Sequence, residues 1–295
     1  MMVWQGHCRI IELLSLLLFS SSRAKRGDPC SAGLRYRYAM TRAATNSASP
    51  RFDAVDALRG VAMLWMTVFH FCFDLNQSGY IKQDFYNDPL WTWQRTLIVS
   101  LFLICAGIGQ AIALQQGQSW GRFWRRWAQV MGCALLVSAG SWWLYPQSFI
   151  YFGVLHGIAV MLIVVRLTVH WGRWLWLLGA LAIAAKFAGA DVLQTLAPEA
   201  VAALFNAPWL NWLGLITRLP ITEDYVPVLP WLGLMWWGAA LGAWLMGDGR
   251  RYLRGPIAPQ LRPLALIGRW SLSYYMLHQP VMIGALMALA WWLGR

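Results

Sequence analysis

Acidic side chains are scarce in this sequence: Asp and Glu number 12 of 295 residues, half the 24 Lys and Arg. Charged residues of both signs make up only 12%, and a soluble domain of this length needs a more polar surface. The five cysteines, Cys8, Cys30, Cys72, Cys105 and Cys133, have no paired spacing, so neither a disulfide framework nor a zinc or other metal site is expected. There is no Walker A motif, no G-x-S-x-G elbow, no H-E-x-x-H pair and no G-x-G-x-x-G turn after a strand. ATPase, serine-hydrolase and zinc-protease readings therefore have no support.

What the sequence does hold is apolar bulk, with 59% hydrophobic residues, 21 tryptophans and a mean hydropathy of +0.47. The apolar residues come in blocks, each long enough to cross a hydrocarbon core of about 30 Å. Seven spans are expected: Leu58–Leu75, Trp93–Leu114, Phe123–Tyr145, Phe149–Leu167, Trp171–Ala190, Val226–Met246 and Leu264–Leu293. In the last, Gly268 marks an interfacial turn. Ala200–Leu219, interrupted by Pro208 and Gly214 and followed by Pro220, reads as a re-entrant or surface segment. The expected fold is an all-α integral membrane bundle of about seven transmembrane helices, with the lipid bilayer as its first partner.

Residues 1–50 read differently. Ile10–Ser20 is apolar but too short to span, and Ser21–Pro50 is polar, basic and aperiodic. The expected domains are a poorly ordered extension at 1–50, with Met40 as an alternative initiator, and a transmembrane domain at 51–295.

A net charge of +12 would suggest nucleic acid in a soluble protein, but here the basic residues occupy short loops between apolar blocks. Arg51 and Arg59, then Arg122, Arg125 and Arg126, then Arg166 and Arg173, then Arg250, Arg251, Arg254, Arg262 and Arg269 fall in alternate loops or at their edges. Asp74, Asp84, Asp88, Asp191, Glu199, Glu223 and Asp224 fall on the other side. The positive-inside rule makes the first set, and the amino terminus, cytoplasmic. The expected location is the inner (plasma) membrane, with no nucleic-acid partner and a homodimer left open.

Several polar residues lie inside the apolar blocks, where ionisable groups are costly and mark a pathway or site. Arg59, Met63, Met66, His70 and Asp74 share one helix face. Asp74, one turn beyond His70, is placed to hold its imidazole in one tautomer, as a general base requires. His156 follows Gly153 and precedes Gly157, small residues that admit close helix contact. Glu223 and Asp224 precede Pro227 and Pro230, and are either acceptor-binding or ordinary loop charges. Ser271, Tyr275 and His278 share a face of the last span, and Pro280 removes the amide that would bond the Met276 carbonyl.

These segments resemble the heparan-α-glucosaminide N-acetyltransferase catalytic-domain family and its short bacterial relatives. The resemblance is carried by Val55-Asp56-Ala57-Leu58-Arg59-Gly60-Val61-Ala62-Met63, Phe102–Gly107, Phe152-Gly153-Val154-Leu155-His156, Val228-Leu229-Pro230-Trp231 and Gly268–Pro280, in that order. It implies an acyltransferase that moves acetyl from cytosolic acetyl-CoA, as donor substrate, to an amino or hydroxyl group of a glycan-type envelope acceptor across the membrane. On that reading His70, Asp74, His156 and His278 are candidate catalytic residues. Arg59, Arg269, Ser271 and Tyr275 are candidate donor-binding residues, and Glu223 and Asp224 candidate acceptor-binding ones. The lysosomal member has Asn where this chain has His70, and its essential histidine falls near Asn87 here, so the assignment to His70 rests on this chain's own helix face. The lysosomal enzyme's additional spans and luminal domain are missing, which makes heparan sulfate an unexpected substrate. A transporter or flippase would show paired broken helices in repeated halves. A structural assembly protein would not need the three histidines.

Overall fold

A computed structural model of the chain describes residues 52–253, 256–292 and 294. The expectations for residues 1–50, Arg51, Arg254 and Leu293 lie outside those residues, as do the side chains of Arg250 and Arg251.

The described elements are helical, with no strand among them. In chain order they are α1 (Asp53–Gln77), α2 (Pro89–Gln115), α3 (Trp120–Leu144), α4 (Val154–Thr168, continued by a 3₁₀ turn to Trp171), α5 (Trp174–Thr195), α6 (Glu199–Asn206), α7 (Val228–Met246), α8 (Arg250–Leu253), α9 (Arg262–Arg269) and α10 (Ser271–Trp292). Of these, α1, α2, α4 with its 3₁₀ turn, α5 and α7 are long and apolar enough to cross a membrane. Helices α3 and α10, of 25 and 22 residues, have the length to do the same.

Local chemistry sets the boundaries. Asp53 and Asp56 sit in the first turn of α1, where carboxylates suit the positive end of the helix. Asp88 caps α2 by accepting the Leu90 amide at 2.9 Å, with Pro89 in the first turn. The block expected as one span from Leu264 is two helices. Trp270 leaves helical geometry between α9 and α10, so the span proper begins at Ser271. The fourth span begins at Val154 rather than Phe149, because residues 149–153 are non-helical and pair with the loop before α7. The segment Ala200–Leu219 forms only the short α6 and a 3₁₀ turn at Asn211–Leu213.

Helix α7 packs most extensively on α2, and α9 on α1. Both contacts depend on glycine. A Cβ added at Gly107 or Gly238 would overlap backbone across the α2–α7 seam, and one at Gly60 or Gly268 would overlap backbone across the α1–α9 seam. With no hydrophobic effect between helices in lipid, such close backbone approach is a main source of association. Helix α4 fills the middle. The Trp127 indole donates to the Ala159 carbonyl and that of Trp236 to Thr168 Oγ1, each at 2.9 Å. Large apolar side chains such as Trp143, Phe187, Leu181 and Val281 face outward, an arrangement that a bilayer solvates and water does not.

A histidine pair between the first and last long helices

Helices α1 and α10 run in the same direction and meet through three polar rungs. Thr67 Oγ1 lies 2.8 Å from the Tyr274 hydroxyl, the His70 and His278 rings are 5.4 Å apart, and Gln279 Nε2 donates to Asp74 Oδ1 at 2.9 Å. Thr67 spends its own proton on the Met63 carbonyl at 2.9 Å, so Tyr274 is the donor in the first rung. His70 and His278, far apart in sequence, are thereby brought side by side, their rings tilted 57° to one another.

The tautomer of His278 follows from its neighbours. Its Nδ1 lies 2.7 Å from the Tyr275 carbonyl, which can only accept, so Nδ1 carries the proton in the neutral ring. Nε2 is left with a lone pair, buried and without a partner. The carbonyl in contact with His278 is thus that of Tyr275, and not the Met276 carbonyl that Pro280 was expected to free.

Asp74 does not orient His70. The bond it makes is to Gln279, reached because α10 passes beside that turn of α1, and so the expected His70–Asp74 dyad is replaced by a His70–His278 pair. Asp74 is only 8% exposed, and its second oxygen has no partner.

His156 stands apart from the pair. Its Nδ1 accepts the Gly153 amide at 3.3 Å, which caps α4. Its Nε2 lies 3.2 Å from Ser138 Oγ, whose proton goes to the Ile150 carbonyl at 2.5 Å, so Nε2 is the donor. Both nitrogens of the neutral ring are engaged, Nδ1 by the loop before α4 and Nε2 by Ser138 on α3.

Glu223 and Asp224 belong to the same end of the bundle as His156. Ser148 donates its hydroxyl to Glu223 Oε1 at 2.6 Å, and the Val154 amide donates to Asp224 Oδ2 at 2.7 Å. Burial pushes the Asp224 carboxyl above its ordinary range, and the Val154 amide and the Arg95 charge offset only part of that. Tyr225 is likewise pushed up by burial, and its hydroxyl donates to the Asn211 carbonyl at 2.6 Å.

Arg59 and Arg269 meet at the opposite end. Arg59 Nη1 lies 3.2 Å from Asp56 Oδ1, while Arg269 reaches Asp53 at 2.6 Å and the other oxygen of Asp56 at 3.7 Å. Two guanidiniums are therefore braced by two carboxylates at the α1–α9 crossing. Ser271 opens α10 beside them, and Tyr275, next to His278, packs against the apolar cluster of Met63, Met66 and Phe69 and against the larger one around Leu155 and Leu232.

Reading the sequence by single helix faces left Thr67, Tyr274, Gln279, Asp53 and Asp56 without roles. The signal for them was the polar run on each helix, but the pairing of runs is a tertiary fact. The sequence model of the family described as heparan-alpha-glucosaminide N-acetyltransferase, catalytic, matches residues 51–280. No curated protein sequence and no solved structure matches the chain.

Proposed function

The chain belongs to the heparan-alpha-glucosaminide N-acetyltransferase catalytic family, and on that premise we propose that it carries acetyl from acetyl-CoA across a bilayer to an amino or hydroxyl group of a glycan-type acceptor. Membership makes it a membrane transferase. The donor, the direction and the residue roles are the proposal.

The observation that carries it is the His70–His278 pair, in which the Nε2 lone pair of His278 is free while Nδ1 is pinned by the Tyr275 carbonyl. A fixed tautomer with one open lone pair suits a general base. His278 Nε2 takes the proton from the acceptor's amino or hydroxyl group as that group attacks the thioester carbonyl, and the coenzyme A thiolate leaves. His70 lines the other wall of the same point. His156 supports the outer loop through its cap, and Glu223 and Asp224 hold that loop at the acceptor end.

Arg59 and Arg269, with Ser271 and Tyr275 above them, form the donor side in this reading. Guanidiniums give paired donors to phosphate oxygens, although here a phosphate must compete with Asp53 and Asp56. Helices α1–α5, α7 and α10 are the seven spans, with the arginine-rich loops and the amino terminus cytoplasmic. The acceptor then lies on the outer face of the inner membrane.

The test places purified chain in sealed vesicles with acetyl-labelled acetyl-CoA on the side of the arginine loops and envelope glycans on the other. Label is expected on the glycan. Absence of transfer with the donor supplied from either side sinks the reading.

A further inference from the structure

Three atoms at the α1–α10 seam are buried without a partner: His278 Nε2, Asp74 Oδ2 and Gln279 Oε1. Their chemistry is alike. His278 Nε2 is a lone pair because Nδ1 holds the proton. Gln279 donates its amide nitrogen to Asp74 Oδ1, so its oxygen is the remaining end and accepts only. An ionised carboxylate oxygen also accepts only. Buried acceptors left empty are costly, and a cluster of them in a native fold calls for a group that fills them.

The seam is lightly covered. Helix α10 buries none of its residues and packs mainly on α1. Two residues beyond Asp74, Asn76 begins the rim of an open hollow that includes Gly79, Lys82, Gln83 and Asp84.

We infer that Asp74 and Gln279 form the acceptor-recognition element of this site and set its specificity, taking N–H or O–H hydrogens beside the group to be acetylated. The inference rests on the acetyl-transfer reading above. The ligand it implies presents several hydrogens on adjacent atoms, as a sugar ring with neighbouring hydroxyl or amino groups does. Gln279 has two tasks, since its nitrogen holds Asp74 in place and its oxygen meets the ligand. His278, the residue before Gln279 on α10, then faces the nucleophile itself.

The experiment needs no donor and no turnover. Methyl glucosaminide and methyl glucoside are titrated calorimetrically into the purified full chain in nanodiscs, for the parent, Asp74→Asn and Gln279→Met. Both variants keep the shape of the side chain, and their thermal unfolding is recorded alongside. Binding of either probe to the parent is expected, weakened about tenfold or more in each variant, because one acceptor becomes a donor or disappears. In a turnover assay the same variants raise the acceptor KM while the donor KM stays put. No binding to the parent overturns the inference. So does parent-like binding by both variants, which would mean that water or a proton shared between the two oxygens fills the gap. A parent that binds the probe yet transfers no acetyl would sink the acetyltransferase reading and leave the recognition site standing.

Discussion

Tyr274 lies parallel to His278, with ring planes 4° apart, while its hydroxyl crosses to Thr67 on α1 at 2.8 Å. One side chain thus ties the two helices together and lies along the imidazole. Tyr274→Phe is expected to cost about 1 kcal/mol, the worth of one hydrogen bond. Thr67→Val should cost a similar amount, and the double variant little more than either alone. Additive losses in thermal unfolding would show that the two residues do not act as a pair.

His278→Ala should lower the rate at saturating donor by about 10²–10⁴-fold, the range of a general base, with donor affinity nearly unchanged. His70→Ala should give a smaller loss, since His70 faces the point without a backbone carbonyl fixing its tautomer. Were His70→Ala the more damaging change, the two roles would be exchanged.

Arg269→Ala should weaken acetyl-CoA binding about ten- to a hundredfold, the worth of a charge-assisted hydrogen bond, without lowering the maximal rate. Arg59→Ala should behave alike. A donor titration decides it, and a fall in rate at constant affinity would assign these arginines to scaffolding with Asp53 and Asp56.

Gly60→Ala and Gly268→Ala each drive a methyl group into backbone across the α1–α9 crossing. Loss of monodisperse protein on size-exclusion chromatography is expected for both. Gly284 on α10 has open space around it, so Gly284→Ala should leave yield intact and gain a few tenths to about 1 kcal/mol from helix propensity. Equal behaviour of all three would count against the tight crossing.

Asp224 supplies the pH prediction. Its carboxyl is held above the usual 3.8 by burial, so the folded chain keeps a proton that the unfolded chain has shed. Its stabilising contribution is full below the unfolded value and is lost as pH rises through the folded one. Relative to Asp224→Asn, which can still accept the Val154 amide, the parent should lose stability from about pH 4 upward until the folded value is passed. A constant difference between the two melting curves across that window would rule this out.

Much of the fold was legible because hydrophobic length is a local property. The blocks around Trp93–Leu114 and Val226–Met246 could hardly be anything but long helices; α2 covers the first, and α7 the second from Val228 onward. The break at Trp270 was blurred because apolar composition runs across it unchanged, and only backbone geometry separates α9 from α10. At the site, His70 and His278 were both visible as polar intruders in apolar helices. Their meeting was not, since nothing in one helix states which neighbour runs beside it, or in which direction. Asp74 shows the same limit. Its spacing from His70 suggested a partner on its own helix, and the nearer claim came from Gln279, some two hundred residues along the chain.

The glycine seam between α2 and α7 also divides the molecule by stiffness. Gly107 and Gly238 bring backbone against backbone, leaving no flexible side chain to absorb movement. Helix α10, by contrast, has every residue at least partly open to the surroundings. In hydrogen–deuterium exchange, the amides of α2 and α7 should stay protected whether or not ligands are present. Those of α10 should exchange sooner, and should slow when both substrates are bound.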